Sequence, residues 1–280
     1  MTHVMTRELV TGFQEKLIDE EKSRATVEKY MRDIRGFYFF VGEGKAVTKS
    51  VTRAYKEQLI RTYAPVSVNS MIAAVNGFLK RNEWFDCIVK SLKCQKETFR
   101  TEERDLTRED YYRLLDEAVR QGRIRLYLLM ETLCATGIRV SELPFITVEA
   151  VRRGNAVVNC KGKQRVVLMP DLLCRKLRAY AAVRGITRGS VFITRNGNPV
   201  DRSNVFHEMK ALCRQAGIPQ EKVYPHNLRH LFAKTYYHAR NDIIHLADIL
   251  GHANVNTTRI YTMVSAEEEQ RQINSLGLVR

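Results

Sequence analysis

Apolar side chains recur every three to four residues along most of the chain and alternate only briefly near its middle. In SRATVEKYMRDIRGFYFFV, Val27, Tyr30, Ile34, Phe37 and Val41 share one helical face, with Ser23 or Thr26 placed to cap it. TKSVTRAYKEQLIRTY and PVSVNSMIAAVNGFLKR read as two further helices, Ser67 lying near the start of the second. The N-terminal third therefore predicts a small all-helical domain. The pattern breaks at KCQKETFRTEERDLTRED, which is polar and charged, and LTRED then opens a new helix with Thr107 as N-cap. The expected organisation is a helical domain over 1–95, a linker over 96–104 and a second domain over 105–280.

The second domain is mixed. RLYLLMETLCATG reads as a buried helix closed by Gly137. NAVVNC, KGKQ and RVVLMP read as a β-hairpin with lysines at its tip, and SVFITRNGNPV as another short strand and turn. SNVFHEMKALCRQAGI, HNLRHLFAKTYYHAR and DIIHLADILG read as helices, and TTRIYTMVSAEEEQ as the start of a last one. The fold class expected is mainly α with a small β-sheet.

No apolar run approaches the ~18 residues that span a bilayer, and the first residues, MTHVMTRELVTGFQEKL, hold no signal-peptide core. A soluble, cytoplasmic protein with no membrane partner is expected. Six scattered cysteines without a CxxC pair read as small buried thiols, not as a metal site. Charge changes the picture more. There are 46 Lys and Arg against 31 Asp and Glu, a net +15. Residues 1–104 hold 19 basic and 14 acidic side chains, and the remainder 27 and 17. Both parts are basic, which suits a polyanion touched by both. Lys49, Arg53 and Lys56 form one basic helical stripe, either a solvated face or a DNA contact.

Five stretches carry candidate chemistry. TGIRVSEL holds Arg139, CKGKQR holds Lys161, HNLRH holds His226 and Arg229 one helical turn apart, LGH holds His252, and TTRIY holds Tyr261. Each residue alone has an ordinary structural reading. DIIHLADILGHANVNTTRIYTMV also reads as a helix-turn-helix, which would make it a DNA reader. Together the set makes chemical sense. Arginine forks match phosphate oxygens. Histidines donate to phosphoryl oxygens or move protons. A lysine supplies a proton, and a phenol is a covalent nucleophile. No carboxylate cluster for Mg²⁺ and no P-loop is found in the sequence, so no cofactor or metal is expected.

The order Arg, Lys, His-x-x-Arg, His, Tyr resembles the tyrosine recombinases, or phage-integrase family, in its Xer-like two-domain form. ATGIRVSEL, PHNLRHLFA and LGHANVNTTRIYT are similar to that family's strongest signatures. The resemblance implies a helical, SAM-like core-binding domain followed by an α+β catalytic domain. It implies that Tyr261 attacks a DNA phosphodiester to give a 3′-phosphotyrosine. Arg139 and Arg229 then grip the non-bridging oxygens, His226 and His252 complete the cage, and Lys161 protonates the 5′-oxygen, without metal or ATP. The hairpin carries Cys160-Lys161-Gly162 where the family often has Gly-Lys-Gly, and Lys163 is an alternative acid. The implied partners are duplex DNA with inverted-repeat core sites and three further copies in a tetramer, linked through SAEEEQRQINSLGLVR. The chain begins at the core-binding helices, leaving no room for an added arm-binding domain. A type IB topoisomerase, a catalytically idle DNA-binding regulator and a basic RNA-binding protein are the competing readings.

Overall fold

The computed structural model describes residues 3–93, 105–160, 163–252, 254–261 and 266–277. They are mainly helical, with two small antiparallel two-stranded sheets. The chain divides into two compact units, Met1–Lys96 and Glu97–Arg280.

In the first unit, strand β1 (His3–Val4) pairs with β2 (Ala46–Val47), and four helices follow the chain: α1 (Arg7–Asp19), α2 (Arg24–Val41), α3 (Lys49–Thr62) and α4 (Pro65–Arg81). The periodic segments of the sequence are α2, α3 and α4; α1 and the sheet are additional. Ser23 caps α2, its hydroxyl accepting from the Thr26 amide at 3.3 Å. Helix α4 starts at Pro65, whose missing N–H costs nothing at a first helical position, with Ser67 in its first turn. The buried faces of the helices, among them Phe13, Ile34, Phe37, Ile72 and Phe78, close on a core of their own.

The second unit opens with α5 (Arg108–Arg120), held by a reciprocal cap. The Thr107 hydroxyl accepts from the Asp110 amide at 3.0 Å and the Asp110 carboxylate from the Thr107 amide at 3.3 Å. Helix α6 (Ile124–Thr136) is apolar nearly all round because it packs against several neighbours, α5 among them. Its Thr132 and Thr136 hydroxyls are satisfied by the carbonyls one turn back, at 2.7 and 2.6 Å. After α7 (Val148–Arg153) come β3 (Asn155–Cys160) and β4 (Lys163–Leu168), paired from Asn155↔Leu168 to Cys160↔Lys163. Helices α8 (Asp171–Val183), α9 (Arg202–Ala216), α10 (Pro225–Arg240), α11 (Ile243–Leu250) and α12 (Ala266–Ser275) complete the unit. Leu129, Met130 and Leu133 of α6 and Leu228 of α10 lie in its core.

Three expectations need correction. SVFITRNGNPV is not a strand: one isolated bridge joins Ser190 to Thr147, and another, Ile193↔Pro199, closes a turn at Gly197. TTRIYT does not begin a helix; two 3₁₀ turns, Val255–Thr257 and Arg259–Tyr261, precede α12. The helix-turn-helix reading fails for the same reason, since α11 is followed by these turns and not by a recognition helix. The Asn254 side chain caps the first of these turns by accepting from the Asn256 amide at 2.8 Å, a local bond that competes with helical pairing. Among the described cysteines, Cys87, Cys174 and Cys213 are buried and Cys134 is half-buried. Among the described residues, no helix is long and apolar enough to cross a membrane.

Candidate active site

Helices end with unsatisfied carbonyls and a partial negative charge. The site is built where two such ends meet. Helix α6 closes on Gly137 (φ +64°) and α11 on Gly251 (φ +65°). Both need the left-handed region, and a Cβ on Gly137 would fall 2.4 Å from the Phe232 ring. Arg229, on the second turn of α10, fills the gap. Its Nη1 donates to the Gly137 carbonyl at 2.6 Å, and its Nη2 to the Leu250 carbonyl at 2.7 Å and to His252 Nε2 at 3.0 Å. The residue is only 1% exposed. Burial first, and then the nearby Arg139 charge, push it down to about 10, so it still carries its proton at neutral pH.

Arg139 stands just after α6, at the start of a 3₁₀ turn over Val140–Phe145. Glu142, buried in that turn, accepts from the Arg139 amide at 2.8 Å and from its Nη1 at 3.2 Å. Arg139 Nη2 also reaches the Gly251 carbonyl at 3.4 Å. Arg165, on β4, donates to the same Glu142 carboxylate at 2.7 Å. Three arginines thus gather on the peptides at the end of α11, each with fixed hydrogen bonds or packing.

His252 follows directly. Arg229 can only donate, so Nε2 accepts, and Nδ1 donates to the Thr258 hydroxyl at 2.8 Å. The ring is therefore neutral. Burial, then the charges of Arg229 and Arg139, push its pKa down to about 4. Tyr261, in the second 3₁₀ turn, stacks near-parallel to His252 with centroids 6.1 Å apart. The ring is 2% exposed and packs with Ala233, Leu246 and Leu250. The electrostatic pull of the nearby Tyr261 phenol partly offsets the downward push on that arginine. His230 lies edge-on to Tyr261 at 4.6 Å and to His226 at 4.7 Å, and His226, in the first turn of α10, is exposed. Five of the six residues singled out in the sequence thus come together. A cavity of about 1010 Å³ at the other end of α6, lined by Arg123, Tyr180 and Val183 among others, holds none of them.

Residues 104–268 match the phage integrase family, well over half of the chain. The chain belongs to that family. As a Xer-like tyrosine recombinase it is 30% identical over 279 residues to tyrosine recombinase XerA of Thermococcus kodakarensis, covering 97% of this chain and 96% of that protein. It resembles the crystal structure of a XerA recombinase with a TM-score of 0.53 at 26% identity, over 98% of this chain and 99% of that one. The fold is also that of the XerH site-specific recombinase in its pre-cleavage complex with difH, with a TM-score of 0.70 at 19% identity, over 91% and 80% of the two chains.

In this recombinase Lys161 lies outside the described residues; Lys163 pairs with Cys160 at the hairpin end. Lys49, Arg53 and Lys56 lie on α3 of the other unit. Lys49 and Arg53 are exposed, whereas the Lys56 ammonium donates to the Lys90 carbonyl at 2.7 Å. Sequence reasoning missed Glu142, Arg165, His230 and Thr258. Glu142 and His230 stood inside the quoted motifs, three residues after Arg139 and one after Arg229. Arg165 and Thr258 also stood inside quoted stretches, at the end of CKGKQR and in TTRIY, but their partners lie elsewhere in the chain.

Proposed function

We propose that this recombinase cuts and rejoins duplex DNA at a specific site through Tyr261. The Tyr261 oxygen attacks the phosphorus, a Tyr–O–P bond forms, and the bond from phosphorus to the 5′-oxygen breaks. The product is a 3′-phosphotyrosine and a free 5′-hydroxyl. The observation that carries the reading is the phenol packed between His252 and His230 beside the buried Arg229. Arg139 and Arg229 place two guanidinium charges where negative charge accumulates on the phosphorane, the point at which fixed donors contribute most to rate. A neutral His252, held by Thr258, supports Arg229 and is a weak candidate for the acid. Lys161 protonates the departing 5′-oxygen. Energy is retained in the phosphotyrosine, so the reverse attack by a 5′-hydroxyl rejoins the strand without ATP.

The nucleophile is buried. Attack therefore requires residues near 251–261 to rearrange when DNA arrives. Four copies act on two inverted-repeat core sites, joined through their C-terminal segments. The helical unit, with Lys49 and Arg53, contributes phosphate contacts, and the boundary of the two domains lies in 96–104. The duplex partner is supported by family membership and by a related fold solved on its DNA substrate, and the tetramer by the similar fold of a lambda integrase tetramer bound to a Holliday junction. The reading is tested by incubating the protein, in excess EDTA and without nucleotide, with a nicked duplex selected from a random pool by binding. A denaturation-resistant adduct on the 3′-phosphate side is expected. Adducts that need Mg²⁺, or that carry the 5′-phosphate, would overturn it.

A further inference from the structure

We infer that Arg165 is a positioning residue of the cleavage reaction: it holds Arg139 through the carboxylate they share and keeps that corner of the site positively charged. The inference rests on the reading of Arg139 as a phosphate ligand.

Glu142 is 1% exposed and the Arg165 side chain 14%. A buried carboxylate facing one arginine makes a neutral pair, and a neutral pair does little for an incoming phosphate. Arg139 alone would stand in that position, since Glu142 takes both its amide and its Nη1. Arg165 supplies the second positive charge at 2.7 Å, leaving the trio of Arg139, Glu142 and Arg165 with a net charge of one. Geometry gives Arg165 a second role. It projects from β4 opposite Val158 of β3. Its stem also lies so close to Gly251 that a Cβ there would fall 2.5 Å from Nε. The Gly251 carbonyl in turn receives Arg139 Nη2. One side chain therefore touches the hairpin, the Arg139 turn and the segment leading into His252.

An ion pair that merely anchors the hairpin would lower the folded fraction and depress every activity alike. A positioning role depends on the charge of the scissile phosphate. The test compares adduct formation on two nicked duplexes, one with the ordinary scissile phosphodiester and one with a methylphosphonate there, which lacks the negative non-bridging oxygen. The ratio of the two rates within one variant is independent of how much of it is folded. Arg165→Ala is expected to slow cleavage of the phosphodiester by ~10²-fold, the scale for loss of one charge-stabilising group, and of the methylphosphonate by less than ~5-fold. Arg165→Lys, which keeps charge without the planar fork, should fall between wild type and Arg165→Ala. Adding Glu142→Gln to Arg165→Ala removes the uncompensated carboxylate and should recover at least ~10-fold on the phosphodiester. Equal losses on both substrates, or a wild-type rate for Arg165→Ala, would overturn the inference. Arg139→Ala is run alongside. If it is spared on the methylphosphonate and Arg165→Ala is not, only the role of Arg165 fails; if Arg139→Ala is not spared, the phosphate role of Arg139 fails, and that of Arg165 with it.

Discussion

Gly251→Ala perturbs the point where the three arginines converge. Two separate costs follow from the structure. Gly251 sits at φ +65°, and an L-residue in that region costs about 1–2 kcal/mol. The new Cβ would also lie 2.5 Å from Arg165 Nε and 2.6 Å from its Cδ. Ordinary carbon contacts lie near ~3.5–4.0 Å, so the side chain must retreat by about 1 Å. Its 2.7 Å bond to Glu142 then stretches past hydrogen-bond range. A buried charge left without one partner adds about 1–3 kcal/mol. The total is about 2–5 kcal/mol. Gly154→Ala separates the two costs, because Gly154 has φ +77° but open space around a Cβ. It should lose only the backbone part, about 1–2 kcal/mol. Urea unfolding, with midpoints compared at unchanged slope, measures both variants. Adduct formation is then measured where both are fully folded. Gly154→Ala should cleave like wild type, and Gly251→Ala should be slower by ~10-fold or more through the displaced Arg165. If Gly251→Ala loses no more stability than Gly154→Ala and cleaves at the same rate, the close packing of Arg165 on this loop carries neither role.

The folded-state pKa of His252, about 4, lies below its ordinary 6.5, so the unfolded chain binds the proton more tightly. This contribution to stability is complete above about pH 6.5 and is lost as pH falls toward 4. In urea titrations His252→Gln should flatten that part of the wild-type profile; an unchanged slope would contradict a neutral, desolvated ring. For the hairpin, Lys161→Ala should slow cleavage by ~10²-fold, as for loss of a general acid, and Lys163→Ala far less. Sulfur in place of the bridging 5′-oxygen needs no acid and should rescue Lys161→Ala but not Arg139→Ala, and rescue confined to Lys163→Ala would reassign the acid.

Much of the site was legible because its residue types are unusual together and stand in short motifs. Arg139, His226, Arg229, His252 and Tyr261 could be picked out by their chemistry, and the chain folds them into one place. The groups that hold them were not legible in the same way. Arg165 meets Glu142 across 23 residues, and Arg229 reaches Gly137 across 92. No local pattern encodes such pairings, and a glutamate in a basic motif looks like any surface partner. Helices α1 and α8 carry readable spacing, with Val10, Phe13 and Leu17 in one and Leu173, Leu177 and Ala181 in the other. The 3₁₀ turns around Tyr261 do not. There the Asn254 side chain accepts from the Asn256 amide and so offers the backbone an alternative to helical pairing. Lys49, Arg53 and Lys56 show the limit of a charge pattern: one helical stripe, yet Lys56 is engaged by the Lys90 carbonyl.

Everything said of the chemistry depends on Tyr261 being the atom donor to phosphorus. The most direct measurement is to trap the adduct on a nicked duplex, digest protein and DNA, and sequence the nucleotide-bearing peptide by mass spectrometry. The modification should sit on Tyr261, and Tyr261→Phe should bind the same duplex and yield no adduct. A nucleotide on Tyr236 or Tyr237, or an adduct that persists in the Phe variant, would contradict the assignment.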